Sequence, residues 1–410
     1  MKYIIILYDG MSDNPVPALG GRTPMQAAQK PLFDRLGRDA EVGLVRTVAP
    51  GQAPGSDVAN LSVLGYDPKE CYTGRSPLEA VSMGVPMGEE DLTLRCNLVT
   101  LSPDEPFEAK TMVNYAGGDI QTEDAAQLIA AVQEAFGSDA FAYTAGVQYR
   151  HCLLWRGAKE KKAALGTLTP PHNIIGRTIA HYLPKGGAAA PLLEMMRKGY
   201  ALLSAHPLNL ARQAAGKAPA NCIWLWGEGT RPALPSFEEM TGLRGSVISA
   251  VDLLKGIGIL AGMRTPEVPG VTGYIDTNYE GKARCAVEEL RGGQEFVYLH
   301  FEATDEAGHR GAVRDKVRGI ELIDERALPI VLEYLDTLED YAIMILPDHP
   351  TPLALKTHTS DPVPYMLLHK AWKGTGRGVA CVCEESAAAT GRYIEFGPNL
   401  MKRFLGKGVL

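Results

Sequence analysis

Tyr3-Ile-Ile-Ile-Leu-Tyr8, followed at once by Asp9-Gly10, is the stretch that decides the fold. It is continuously apolar and rich in β-branched residues, with no alternation of polar and apolar positions. That is the pattern of a parallel strand covered on both faces. The strand stops at an acidic residue and a glycine, so a carboxylate stands at a carboxyl edge. Two later runs repeat the design. Phe296 to Phe301 (FVYLHF) leads into Glu302-Ala-Thr-Asp305, and Tyr341 to Leu346 (YAIMIL) leads into Pro347-Asp348-His349. Helix-like stretches lie between them, such as Arg314 to Leu335, where Val317, Ile320, Ile323, Leu328 and Val331 recur at roughly helical spacing. Strands alternating with helices predict an α/β fold whose mostly parallel sheet is flanked by helices and whose ligands gather beyond the strand carboxyl ends.

The middle of the chain reads differently. Short strands are expected at Leu92 to Thr100, Gln148 to Trp155 and Ala220 to Trp226, with helices at Glu123 to Phe136 and Ala189 to Ala205. The acidic loop motifs occur on both sides of this segment, which predicts a smaller α/β domain, residues 89–239, inserted into a core domain of residues 1–88 and 240–410. The amphipathic stretch from Gly245 to Gly262 is expected to be the helix that re-enters the core.

At 410 residues the chain is long enough for one large domain or two ordinary ones, and 45% hydrophobic with 22% charged residues excludes a disordered or fibrous chain. A formal charge of −7 gives no general footprint for nucleic acid. Seven scattered cysteines do not form a disulfide framework, which points to a reducing, cytoplasmic setting. Cys381-Val-Cys383 has no second pair to complete a zinc site, so the run from Gly378 to Cys383 reads as a buried strand. Asp9 interrupts the amino-terminal apolar run and no small-residue cleavage site follows it, unlike a signal peptide. No segment reaches the ~18 apolar residues of a membrane span.

The chemistry gathers in the loops. Asp305 and His309 are four residues apart, so on one helical turn both could face one cation. Asp348 and His349 follow a strand, His358 follows them, and Asp9 adds a third aspartate. Such a mixture of oxygen and nitrogen donors suits borderline-hard divalent ions, manganese or zinc above all, with magnesium or cobalt also compatible. Six ligands are too many for one tetrahedral ion and fit two, the arrangement that clamps the attacking and leaving oxygens of a phosphoryl displacement. Pro54-Gly-Ser56-Asp places Ser56 at the start of a helix, where amide groups bind phosphate oxygens and the hydroxyl could act as nucleophile. An ordinary capping serine has the same pattern. Asn60, one turn on, either donates to a transferring group or is a polar helix position.

Five segments then carry a family resemblance: LYDGMSD at 7–13, GSDVANLSVLGYDP at 55–68, YTGRSPLEA at 72–80, TDEAGHRG at 304–311 and DHPTPLALKTHTSDPVP at 348–364. They resemble the cofactor-independent phosphoglycerate mutases of the archaeal type, within the alkaline phosphatase superfamily, over nearly the whole chain. The resemblance implies an alkaline-phosphatase-like core and two divalent metals. One is held by Asp305, His309 and His358 and the other by Asp9, Ser56, Asp348 and His349, with Ser56 as the phosphorylated residue. It also implies a small phosphorylated substrate bound by cationic residues of the insert, here Arg150, His151, His172 and Arg231, and by Lys282. The oligomeric state is left open.

One position departs from the pattern. The segment reads HFEATDEAGH, with Glu302 where the related mutases often carry lysine, and this variant resembles a bacterial branch proposed to phosphorylate homoserine. Phosphoglycerate mutase is the first expectation, phosphotransfer to an amino alcohol the second, and a metal-dependent phosphatase the third.

Overall fold

The computed structural model describes residues 1–406. In chain order its strands are β1 (Lys2–Tyr8), β2 (Glu41–Val45), β3 (Leu92–Leu101), β4 (Met112–Asn114), β5 (Phe141–Thr144), β6 (Arg150–Trp155), β7 (Cys222–Thr230), β8 (Gly245–Ile248), β9 (Phe296–Phe301), β10 (Tyr341–Leu346), β11 (Val363–His369) and β12 (Tyr393–Ile394). They form two sheets in two compact units, Met1–Tyr72 with Leu234–Leu410, and Thr73–Ala233.

The first unit holds a seven-stranded sheet in the order β12-β2-β11-β10-β1-β9-β8. β11 alone among these strands runs against its neighbours, so the sheet is mostly parallel. β1 lies at its centre, with Ile4 to Leu7 fully buried, as an uninterrupted apolar run requires. Register does the functional work. Leu7 pairs with Leu346 of β10 and with His300 of β9, so the three strands end level with one another. The segments carrying Asp9, Asp305 and Asp348 therefore leave the sheet at one edge. Helices Tyr279–Arg291 and Leu328–Thr337 pack on the sheet and contribute Tyr279, Ala283, Val331 and Leu335 to one continuous core.

The long helix expected from Arg314 to Leu335 is interrupted. Helix Val313–Leu322 passes into a π-turn at Ile323–Ala327 before helix Leu328–Thr337 begins. Pro329 has no N–H to offer the Glu325 carbonyl one turn back, which favours a break in the α ladder at this point. The turn is put to use: Asp324 within it accepts the backbone N–H groups of Leu32 and Phe33.

Two further expectations are corrected. The stretch from Gly245 to Gly262 is not one helix: its first residues form β8, parallel to β9, and only Asp252–Leu260 is helical. The β-branched Val247 and Ile248 complete the sheet edge, and the amphipathic pattern belongs to the later half alone. Gly378 to Cys383 is a loop rather than a buried strand. Cys381 is exposed, and Cys383 caps the helix Glu384–Ala389 by accepting the Ser386 N–H. All seven cysteines are free thiols.

In the second unit β3 is central, flanked by β6 and β7, with β5 beyond β6 and β4 at its end. These pairings are antiparallel, and helices Thr122–Phe136 and Ala190–Ser204 pack on the sheet to enclose a separate core around Leu94, Leu98, Ile129, Met196 and Trp224. The unit starts at Thr73 and ends at Ala233, not at 89 and 239. The helix Ser76–Ser82 belongs to it, because Ser76 is buried and its hydroxyl donates to the Thr93 carbonyl of β3 at 2.9 Å. Among the described residues no helix is long and apolar enough to cross a membrane.

Candidate functional site

At the shared carboxyl edge of β1, β9 and β10 two clusters of carboxylates and imidazoles form, one of Asp305, His309 and His358 and one of Asp9, Asp348 and His349. Asp305 and His309 lie one turn apart on helix Ala303–Arg310, as their spacing predicted. The His309 Nδ1 faces the Lys356 carbonyl at 3.1 Å. A carbonyl can only accept, so Nδ1 carries a proton and Nε2 is the nitrogen turned toward the cluster. That Nε2 lies 2.8 Å from Nε2 of His358 and 3.2 Å from Oδ2 of Asp305, whose Oδ1 lies 3.3 Å from His358. Burial works against the charge of Asp305, but the hydrogen bonds from His309 and His358 hold its carboxyl well below the usual range. In return, Asp305 raises the His309 pKa to about 9. Two ring nitrogens this close share either a proton or a cation.

The second cluster is drier. Asp348 and His349 are fully buried and Asp9 is nearly so. The Thr351 hydroxyl donates its single proton to Asp305, so at 3.3 Å it accepts from His349 Nδ1. The His349 Nε2 is then a bare lone pair, 3.1 Å from Ser56 Oγ, 3.3 Å from Asp348 Oδ2 and 3.7 Å from Asp9 Oδ1. That Asp9 oxygen is buried without a hydrogen-bond partner. Burial, then the neighbouring Asp348, Asp305 and Glu302, push the Asp9 carboxyl well above the usual range. Both clusters thus present converging lone pairs and acceptors that only cations or protons can satisfy, and a divalent ion in each fits this donor set.

Ser56 opens the helix Ser56–Val63, with Gly55 as the capping position. A Cβ on Gly55 would meet the Asp57 carboxylate at 2.6 Å, so a side chain there would require that carboxylate to move. Asn60 is used otherwise than expected. It is fully buried, and its amide N–H groups donate to Asp348 Oδ2 at 2.8 Å and to the Ser56 carbonyl at 2.7 Å, while its oxygen accepts from Tyr298. It ties the Ser56 helix to Asp348, and both of its amide hydrogens are used in these internal bonds.

Lys282 is also placed differently from a substrate-side lysine. It is completely buried, donates to the His300 carbonyl at 3.0 Å, and has its pKa lowered to about 8 by burial, with Glu302 opposing. Glu302 precedes helix Ala303–Arg310, and its carboxylate packs against Gly273, in the space a Cβ there would take. Arg310 instead bonds the Glu306 carbonyl and Asp315.

The remaining expected residues lie in the second unit. The His172 ring packs edge-on to Tyr115 and Trp226. Arg95 stacks over Trp226 at 4.3 Å and pairs with Glu79 at 2.8 Å, and Glu79 also holds Arg75 at 2.8 Å. Arg150 lies over Tyr149, which meets Tyr115 edge-on. Arg75, Arg95, Arg150 and His172 therefore share one aromatic-lined patch whose only carboxylate among these partners is Glu79. Arg75 and Arg95 were not singled out from sequence. Arg75 lay inside the segment YTGRSPLEA, and Arg95 in a strand that reads as core. His151 is buried, accepts the Gly146 N–H at Nδ1, and has its pKa lowered to about 3 by burial and by Arg150. Its Nε2 has no partner. Arg231 stands apart from the patch in these contacts, donating to the Met87 carbonyl at 2.8 Å.

A serine at a helix start, facing two clusters of aspartates and histidines at the edge of a mostly parallel sheet, defines a class of α/β enzymes equipped for phosphoryl chemistry. Comparison with known proteins narrows it. The family model of 2,3-bisphosphoglycerate-independent phosphoglycerate mutase matches residues 38–209. A probable enzyme of that name from Geobacter sulfurreducens is 48% identical over 99% of this chain and 100% of its own length, and one from Methanothrix thermoacetophila is 44% identical over the full length of both. A protein of Pyrococcus horikoshii superposes with a TM-score of 0.82 at 28% identity, covering 100% of this chain and 98% of its own. The cofactor-independent phosphoglycerate mutase of Thermoplasma acidophilum gives 0.65 at 27% identity, covering 98% and 100%. The chain belongs to the 2,3-bisphosphoglycerate-independent phosphoglycerate mutase family.

Proposed function

We propose that this protein interconverts 3-phosphoglycerate and 2-phosphoglycerate through a phosphoserine at Ser56, without bisphosphoglycerate. The observation that carries the reading is the position of Ser56 Oγ, 3.1 Å from His349 Nε2 and beside the cluster of Asp9 and Asp348. Ser56 Oγ attacks the phosphorus of 3-phosphoglycerate; the Oγ–P bond forms as the bond from phosphorus to the 3-oxygen breaks, and the serine proton ends on that oxygen. The bound glycerate then reorients. Its 2-hydroxyl attacks the phosphoserine, the P–Oγ bond breaks, and the proton returns to serine.

Asp305, His309 and His358 would hold one divalent cation, and Asp9, Asp348 and His349, with Ser56, the other. Such ions supply Lewis-acid stabilisation of charge on the phosphoryl oxygens and favour ionisation of the hydroxyl. Manganese and zinc suit the mixed oxygen and nitrogen donors best. Asn60 orients the nucleophile helix, and the first-turn amides beside Ser56 are suited to phosphoryl oxygens. In the second unit, Arg75, Arg95, Arg150 and His172 offer a cationic patch for an anionic group of the substrate.

The amino-alcohol reading loses its main support, because Glu302 has an internal cationic neighbour in Lys282. The deciding experiment supplies purified, manganese-loaded protein with 3-phosphoglycerate and couples product formation to enolase. Turnover without added bisphosphoglycerate is expected. Protein with both metal sites filled that produces no 2-phosphoglycerate would sink the proposal.

A further inference from the structure

His300 was not singled out from sequence, yet it sits fully buried in β9 directly behind Asp9. Its Nε2 lies 2.9 Å from Asp9 Oδ2 and its Nδ1 lies 3.0 Å from Ser249 Oγ. Ser249 follows β8 and is itself buried, and its Oγ also accepts the Val251 N–H at 3.0 Å. These contacts determine where the protons are. With a cation at Oδ1 the Asp9 carboxylate would be ionised and could only accept, so the Nε2 of His300 then carries a proton toward it. In the neutral ring the other nitrogen, which faces Ser249, carries no proton. Nδ1 is then a bare acceptor, and the Ser249 hydroxyl donates to it. The Val251 N–H occupies one lone pair of the same oxygen and helps aim its proton at the ring.

The consequence falls on Asp9. One of its oxygens is tied to His300, while the other, Oδ1, is buried, has no hydrogen-bond partner and lies in the cluster with Asp348 and His349. The Thr304 hydroxyl fixes the Asp9 carbonyl, so the residue is held from both its backbone and its side chain. We propose that Ser249 and His300 form a buried positioning relay that fixes the Asp9 carboxylate with Oδ1 presented to a divalent cation. This rests on the reading of that cluster as a metal site. Groups that orient ligands from behind typically change metal affinity by ~10–100-fold when removed.

The test titrates cobalt(II) alone into metal-free protein and follows visible absorption and heat. Two bound ions are expected for the wild type. In His300→Leu, affinity should fall ~10–100-fold at one site and stay unchanged at the other. His300→Gln, whose amide N–H can still reach Asp9, should recover most of the loss. Folded His300→Leu with wild-type affinity at both sites, or with equal losses at both, would overturn the relay. Should that variant fail to fold, Ser249→Ala decides. Nitrogen-15 NMR of the imidazole should show the Nε2-protonated form in the wild type and a mixed or inverted tautomer in Ser249→Ala, with weaker cobalt binding at one site. A wild-type ring protonated at Nδ1 would refute the relay. Wild-type protein that binds no cobalt would refute the metal reading on which it rests.

Discussion

Ser56 Oγ and His349 Nε2 stand 3.1 Å apart although they are separated by most of the chain: Ser56 follows β2, which joins β10 through β11 in the same sheet, and His349 follows β10. Because Thr351 takes the proton of His349 Nδ1, the lone pair of Nε2 faces the serine. The hydroxyl thus points into the cluster before any substrate arrives. Ser56→Ala should lower mutase turnover by at least ~10⁴-fold, the scale seen when a nucleophile is deleted. Thermal unfolding should change little, and the phosphorylated species in intact-mass spectra should vanish. Ser56→Ala protein with wild-type turnover would exclude the covalent route.

The two loops that carry Asp9 and Asp348 are pinned from below by Lys316. Its buried ammonium donates to Asp13 at 2.8 Å, to the Thr351 carbonyl at 2.8 Å and to the Ser12 carbonyl at 3.3 Å. Asp13 in turn accepts the Leu353 N–H at 3.0 Å. Lys316→Met keeps the apolar stem but leaves a buried carboxylate with no cation, a loss of about 3–5 kcal/mol. Denaturant unfolding should show it. A drop below about 1 kcal/mol would mean that Asp13 is satisfied by its amide partners alone.

The centre of the sheet and the six donors at its edge were legible in the sequence for one reason, while their division into two clusters came from the family resemblance. Three apolar runs each ended in an acidic or histidine-bearing loop, and parallel strands in register must place such loops together. The supporting residues were not legible. His300 lies inside an apolar strand, where an imidazole reads as core, and Lys316 lies on an amphipathic helix, where a lysine reads as solvent-facing. The internal bonds of Asn60 and Lys282 were not legible either: Asn60 was open between a substrate contact and a polar helix position, Lys282 was expected at the substrate from the family resemblance, and burial gives both to hydrogen bonds within the core. The break at Pro329 and the strand β8 were hidden by patterns that look continuous when only helical spacing is counted.

Metal removal should cost stability as well as activity. With both sites filled at a hundredfold excess over Kd, each ion adds about 2.7 kcal/mol to the folded state by mass action. A chelator should therefore lower the Tm, and added manganese or zinc should restore both Tm and turnover. Calorimetric scans that coincide with and without chelator would contradict cation binding at these clusters.

Acid sensitivity should arise in part far from the site. Burial opposes the charge of Glu41, but a bidentate pair with Arg403 and the Tyr365 hydroxyl at 2.9 Å hold its carboxyl below the usual range. A carboxyl lowered on folding stabilises the native state fully above its unfolded pKa and loses that contribution as pH falls through the folded value. Arg403 is partly exposed, so solvent screening limits the expected effect to about 1–2 kcal/mol. Arg403→Met should lower the Tm near neutral pH, and the gap from wild type should close below the carboxylate range. A gap that stays constant from about pH 7 to pH 3 would assign the loss to packing instead.

Glu79 separates recognition from folding in the second unit. It is the carboxylate that holds both Arg75 and Arg95, and Arg95 is sandwiched between it and the Trp226 face with little exposure. Burial penalises the carboxylate, yet Arg95 and then Arg75 outweigh it and keep the Glu79 pKa low. Glu79→Gln removes the charge and retains one acceptor oxygen. Arg95 is then left buried with a weaker partner, at a cost of about 1–3 kcal/mol measured by denaturant unfolding. The patch also becomes more positive and less fixed in orientation. If it binds an anionic group of the substrate, KM should rise several-fold as the arginines lose their alignment, while Ser56 phosphorylation at saturating substrate is retained. Arg95→Lys gives the complementary reading, because a lysine keeps the charge but loses both the planar fork and the stacking on Trp226. A loss of stability in both variants with unchanged KM would make this cluster a structural ion pair and leave substrate recognition to other residues.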